Sequence, residues 1–144
     1  MLESTIEAIL VTDRVTKKLF LGCFASNELP LKPPFPCCFI ANTKPRAHRG
    51  EHWVAFHFSE KGTCHFFDSY GLKPSNAFQS YLNKNANSWF SNKKRIQGFS
   101  QYCGHYSLLF LLFKTRNKSL IFFKKFSSNY SRNDNIIKKL LNDF

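Results

Sequence analysis

Apolar positions along this chain change their spacing several times, and each change marks an element. Near the start, Ser4-Thr5-Ile6-Glu7 has the form of a capping box, with Ser4 as cap and Glu7 three residues on. It predicts a helix running to about Val11. Phe20-Leu21-Gly22-Cys23-Phe24 is a short apolar stretch that suits an edge strand. Pro30, Pro33, Pro34 and Pro36 then exclude helix and central strand, which makes this a surface loop. Beyond it, Cys37-Cys38-Phe39-Ile40-Ala41-Asn42 reads as a buried strand. Thr43 to Gly50 is polar and basic, carries Pro45, and reads as a connection.

Two aromatic-rich runs follow, Glu51 to Phe58 and Thr63 to Asp68, joined by Ser59-Glu60-Lys61-Gly62. A short connection containing glycine between two such runs predicts a hairpin. Asn76 to Phe90 has apolar residues at 78, 81, 82, 89 and 90, a spacing that predicts an amphipathic helix. Lys94-Arg95-Ile96-Gln97 predicts a short strand. The even apolar run Ser107 to Phe113 predicts a buried helix, reaching about Lys114, with Cys103 at its first turn. Ser119 to Phe126 admits more than one reading. Ile136, Ile137, Leu140, Leu141 and Phe144 recur at helical spacing and predict a terminal helix over Ser131 to Phe144. This order of elements fits the α+β class, a mixed central sheet flanked by helices, and 144 residues suit one domain.

Composition narrows the picture. Hydrophobic residues make up 43% of the chain and 17 are phenylalanine, so an ordered core is expected. The acidic start lacks the basic-then-apolar order of a signal peptide. The longest apolar run falls far short of the roughly 20 residues a membrane span needs. The five cysteines are odd in number and follow no disulfide framework, which implies reduced thiols in an intracellular or virion setting. No Cys-x-x-Cys is present, so the spacing argues against a zinc site. The net charge of +12 points to polyanionic partners, most simply nucleic acid. Dispersed lysines that keep an aromatic-rich chain in solution account for the same number.

Candidate chemistry gathers around Cys103-Gly104. A thiol at a helix N-terminus meets unpaired N–H groups and a partial positive charge, both of which favour the thiolate. Gly104 removes a side chain beside the sulfur, so a substrate backbone can come close. The plain alternative is a buried cysteine in a core helix. A cysteine nucleophile needs a base, and the base needs a group to orient it. His52 begins the first hairpin strand and Asp68 ends the second, so the hairpin brings them to one edge. Gln97 can donate a side-chain N–H to an oxyanion beside the Cys103 backbone N–H. Taken singly, His52 is a strand-end histidine, Asp68 a turn-former and Gln97 a surface glutamine.

The order His, Asp, Gln, Cys, with His-Trp and Cys-Gly pairs, resembles the adenovirus endoprotease (adenain) family and its relatives, the SUMO-specific Ulp-type cysteine proteases. Phe20-Leu21-Gly22 with its proline loop, Ile40-Ala41-Asn42-Thr43, Gly50-Glu51-His52-Trp53 and Phe66-Phe67-Asp68-Ser69-Tyr70-Gly71 are similar to stretches of adenain. Gln97 ahead of Cys103-Gly104 keeps the spacing of the Ulp relatives. The similarity runs from about Phe20 to Phe113, and the tail after Lys114 is unmatched.

The resemblance implies a cysteine endopeptidase with Cys103 as nucleophile, His52 as base, Asp68 as orienting acid and Gln97 as oxyanion donor. Trp53 and Gly104 are implied as support for the site. An aspartate at 68 follows the Ulp pattern; adenain uses glutamate. The implied substrates are viral capsid precursors, cut after small residues such as glycine during virion maturation. The implied locations are the virion and the infected cell, including its nucleus.

The chemistry calls for no cofactor. Double-stranded DNA is a candidate activator, bound without sequence preference through Lys44, Arg46, Arg49, Lys93, Lys94 and Arg95. No cysteine lies between Cys64 and Cys103, which argues against a disulfide-linked peptide activator. A monomer with no membrane contact is expected. Two other readings stay open: a Ulp-like enzyme that deconjugates a ubiquitin-like modifier, and a basic nucleic-acid-binding protein whose cysteine is structural.

Overall fold

The structure is a computed structural model and describes residues 3–45 and 52–144. Arg46, Arg49 and the Gly50-Glu51 part of the Gly-x-His-Trp stretch lie outside the described residues.

Five strands form one sheet in the order β1 (Phe20–Phe24), β2 (Cys37–Asn42), β3 (Trp53–Phe58), β4 (Thr63–Phe67) and β5 (Ser88–Ser91). The two outer pairs, β1 with β2 and β4 with β5, are parallel, and the inner pairs are antiparallel. The sheet is therefore mixed, and β1 is an edge strand as its sequence predicts. Helices α1 (Glu3–Thr12), α2 (Asn76–Asn85), α3 (Cys103–Lys114), α4 (Ser119–Lys124) and α5 (Tyr130–Leu141) surround it.

Strand β2 is buried at every position because both faces of the sheet are covered. Cys38 and Ile40 turn to a core built with Ala55, Phe67, the apolar face of α1, and Tyr106 and the Leu108–Leu112 run of α3. Cys37, Phe39 and Ala41 turn the other way, to Val54, Phe56, Phe58, Phe66 and the Phe78 and Leu82 of α2. Phenylalanine dominates this second core: Phe56 meets Phe66 and Phe78 edge to face, and stacks on Phe39.

Four expectations are corrected. Helix α1 begins at Glu3, so Ser4 lies inside it, and Glu7 Oε1 accepts the Cys23 N–H at 3.2 Å instead of closing a capping box. The helix predicted over Asn76 to Phe90 ends at Asn85. Asn87 donates its backbone N–H to Gly62 and its side-chain amide to Lys61, which ties the chain to the β3–β4 turn and starts β5. Trp89 and Phe90 thus lie in a strand of alternating exposure.

Residues 94–97 form no strand. The Ile96 and Gln97 N–H groups both go to the Ser69 carbonyl, and the Ile96 carbonyl accepts from Asn133. Side chains and one turn carbonyl thus take the bonds a strand ladder would have made. The terminal helix starts at Tyr130 and ends at Leu141, short of Phe144.

Candidate active site

The β3–β4 hairpin does what its topology predicts. His52 immediately precedes β3, Asp68 immediately follows β4, and His52 Nε2 lies 2.8 Å from Asp68 Oδ1. The same oxygen accepts the Tyr70 N–H at 2.8 Å, so Asp68 both forms an Asx turn and holds the imidazole. Asn92 grips the Asp68 backbone from both sides, accepting its N–H at 2.9 Å and donating to its carbonyl at 2.7 Å. Gly71 closes this turn with φ of 69°; a Cβ there would fall 2.7 Å from the Lys93 carbonyl oxygen. Only glycine fits both the angle and the space.

Helix α3 begins at Cys103 itself, and its apolar length is packed into the first core. Cys103 is the one cysteine with partial exposure; the other four are buried. With Nε2 of His52 held by Asp68, Nδ1 is the nitrogen left to meet the Cys103 thiol. That Nδ1 is buried and has no partner at full hydrogen-bond geometry.

The electrostatics agree with a close thiol–imidazole pair. Burial opposes a charged His52, but the Asp68 hydrogen bond and the Cys103 contact outweigh it and raise the imidazole pKa to about 9. Burial likewise pushes the Cys103 thiol up, yet His52 and the backbone N–H groups of Trp53 and Gly104 bring it below its ordinary value. The buried Cys37, in contrast, is pushed up to about 12 by burial alone.

Gln97 is fully buried rather than a surface glutamine. Its Oε1 accepts the Ser69 hydroxyl, and its Nε2 donates to the Ser100 carbonyl at 2.8 Å and the Ser100 hydroxyl at 3.2 Å. Trp53 sits at the start of β3, packed against the first core, with its carbonyl accepting the Ser107 hydroxyl at 3.1 Å. Gly104 is buried in the first turn of α3. Among the described residues no three His, Cys, Asp or Glu side chains gather as a metal site.

The basic residues expected at a nucleic-acid surface divide. Lys44, Lys93, Lys94 and Arg95 are all exposed, but the last two have partners in the chain. Lys94 donates Nζ to the carbonyls of Phe123 and Phe126 at the end of α4, a structural duty. Arg95 donates Nε to the Gln97 carbonyl at 2.7 Å and sits over the rings of Tyr70, Phe99 and Tyr130.

Tyr70, Asn92 and Ser100 were not singled out from the sequence. Tyr70 stacks on His52 at 4.3 Å with 9° between the rings. Its place two residues after Asp68, where an Asx turn directs the next side chain back, is the signal that could have found it. Nothing local marks Asn92, whose partner Asp68 lies 24 residues away, or the bond from Ser100 to Asp134, 34 residues away.

Residues 20–95 match the model of the family described as adenovirus endoprotease. The protease of Human adenovirus B serotype 3 is 35% identical over 82 residues, 55% of this chain and 38% of that protein. The protease of Human adenovirus E serotype 4 is 37% identical over 65 residues, 43% of this chain and 32% of that protein. The chain thus spans well under half the length of these relatives. In fold it is similar to the crystal structure of an ASFV protease, with a TM-score of 0.50 and 20% identity, over 71% of this chain and 52% of that one.

Proposed function

Because this chain belongs to the adenovirus endoprotease family, we propose that it is a cysteine endopeptidase that uses Cys103, His52 and Asp68. The observation that carries the reading is the His52 imidazole, held through Nε2 by Asp68 at 2.8 Å with its Nδ1 buried and left for a thiol. The thiolate of Cys103 attacks the scissile carbonyl, and the imidazolium of His52 then gives its proton to the leaving amine. Asp68 fixes the ring and the tautomer and stabilises the charged imidazole. The free N–H groups at the start of α3 and the Nε2 of Gln97 receive the developing oxyanion. Gln97 must turn one N–H from Ser100 toward the substrate to do so. By family likeness, the substrates are viral precursor proteins cut after small residues such as glycine.

The test is cleavage of a fluorogenic peptide amide ending in glycine. Wild type should release the fluorophore, and Cys103→Ala and His52→Ala should lose activity by at least about 10³-fold, as removal of a triad member does elsewhere. Full activity in Cys103→Ala would remove the proposal. Cleavage confined to a folded ubiquitin-like modifier would favour the deconjugating alternative.

A second proposal concerns DNA. Arg14, Lys17, Lys18 and Arg116 line one cleft, where Arg116 pairs with Asp13 at 2.6 Å. Together with the +12 charge, this favours sequence-independent binding of the phosphate backbone.

A further inference from the structure

The segment that carries Gln97 is held largely by the tail of the chain, beyond the stretch that matches the family. Lys94 donates to the Phe123 carbonyl in α4 and to the Phe126 carbonyl just beyond it. Asn133, fully buried on α5, donates to the Ile96 carbonyl at 2.9 Å and to the Ser127 carbonyl at 2.8 Å. Tyr130 packs so closely on Gly98 that a Cβ there would lie 3.1 Å from the Tyr130 Cβ. Asp134 Oδ1 accepts the Ser100 hydroxyl at 3.2 Å and the Tyr106 hydroxyl at 2.7 Å. Since Ser100 accepts from Gln97 Nε2, one continuous path runs from a carboxylate on α5 to the Gln97 carboxamide.

The chemistry of that path is directional. A serine hydroxyl has one proton and two lone pairs, and it rotates to suit its neighbours. Asp134 takes the Ser100 proton, so the lone pairs are left to face the Gln97 N–H. At the other end, the Ser69 hydroxyl donates to Oε1. One serine thus acts as donor to the oxygen end of the amide and the other as acceptor at its nitrogen end. With the Ser100 carbonyl, which also accepts from Nε2 at 2.8 Å, they select which way the carboxamide points, and a charged acceptor behind Ser100 strengthens the chain of bonds in a partly buried setting.

We infer that Asp134 is a positioning residue: acting through the Ser100 hydroxyl, it fixes the orientation of the Gln97 carboxamide. The inference rests on the reading of Gln97 as oxyanion donor given above. It also gives the unmatched tail a part in the site, since α5 supplies the carboxylate.

The experiment compares Asp134→Ala, Asp134→Asn, Tyr106→Phe, Gln97→Ala and the Asp134→Ala/Gln97→Ala double variant. Cleavage of the glycine-ended peptide amide is measured for each. The Gln97 side-chain amide is followed by 15N NMR and assigned by its loss in Gln97→Ala. Gln97→Ala should lower kcat by about 10²–10³ with KM little changed. Asp134→Ala should lower kcat by about tenfold, a fraction of the Gln97 loss. Asp134→Asn, which can still accept, should recover most of it. Tyr106→Phe removes the other bond to Asp134 and should stay near wild type.

In the double variant Asp134→Ala should add almost nothing, because the group it orients is gone. A helix brace that acted only on folding would give additive losses and no selective effect on kcat. The Gln97 amide signals should shift in Asp134→Ala and return in Asp134→Asn. Unchanged Gln97 signals, or full additivity with Gln97→Ala, would overturn the inference. If no variant cleaves, wild type included, while the NMR coupling holds, the protease reading falls and the Asp134–Gln97 coupling stands.

Discussion

Cys103 and His52 oppose their own burial. Each is largely shielded from water, and burial alone drives a thiol toward the neutral form and an imidazole toward the uncharged ring. The pair reverses both tendencies: the thiol comes down and the imidazole goes up to about 9. The sign of every variant follows. With His52 present, the thiol pKa lies below its ordinary value, so iodoacetamide should alkylate Cys103 in a fast phase at a lower pH than an ordinary thiol requires. In His52→Ala, burial remains and the imidazolium is gone, so the thiol pKa should rise past its ordinary value and the fast phase should vanish near neutrality. Raising the pH through about 9 in wild type removes the His52 proton and with it the general acid, so peptide cleavage should decline there even though alkylation continues. The measurement is the alkylation rate between pH 5 and pH 10, with Cys103→Ala identifying the residue. A fast phase carried by Cys37 or Cys38 would displace Cys103 as nucleophile.

The elements read from the sequence were those whose partners lie close in the chain. The hairpin was legible because Gly62 and two aromatic runs announce it, and it carried His52 and Asp68 together with it. Helix α3 was legible from six even apolar residues, Leu108 to Phe113, and Cys103 falls at its first turn as read. Two of the failures share a cause: distant hydrogen bonds decided them. Helix α2 stops where Asn87 reaches back to Lys61 and Gly62, and residues 94–97 stay unpaired because Ser69, Asn133 and α4 take their polar groups. No periodicity encodes such contacts. Phe56 is the hub of the second core, in ring contact with Phe39, Phe66, Phe78 and Tyr81, and is fully buried. Phe56→Ala should cost about 3–5 kcal/mol of stability. A urea midpoint that falls accordingly with an unchanged slope would support this. A loss below about 1 kcal/mol would mean that the surrounding rings collapse into the space.

On the scale of the whole molecule, charge is the quantity that the site does not use. Four cations, Arg14, Lys17, Lys18 and Arg116, share a cleft formed where the short 3-10 turn Thr16–Lys18 meets the residues after α3. Of the cations first expected to meet DNA, Lys44, Lys93, Lys94 and Arg95 are exposed, but Lys94 is bound to backbone carbonyls at α4 and Arg95 to the Gln97 carbonyl, while Arg46 and Arg49 lie outside the described residues. The structure therefore moves the weight of the DNA proposal toward the Lys17–Lys18 cleft. Phosphate contacts alone give binding without base preference, and the logarithm of affinity falls linearly with the logarithm of salt concentration, with a slope of about −0.9 per phosphate neutralised. Titrating a labelled duplex between about 50 and 200 mM salt should give such a line, alike for unrelated sequences. Lys17→Ala with Lys18→Ala should lower the slope by up to about two phosphates, and Lys93→Ala by at most about one. Peptide cleavage should survive the Lys17 and Lys18 changes, since neither residue touches His52 or Cys103. Weak binding that is flat across the salt range would remove the DNA proposal and leave the peptidase proposal to stand on Cys103, His52 and Asp68.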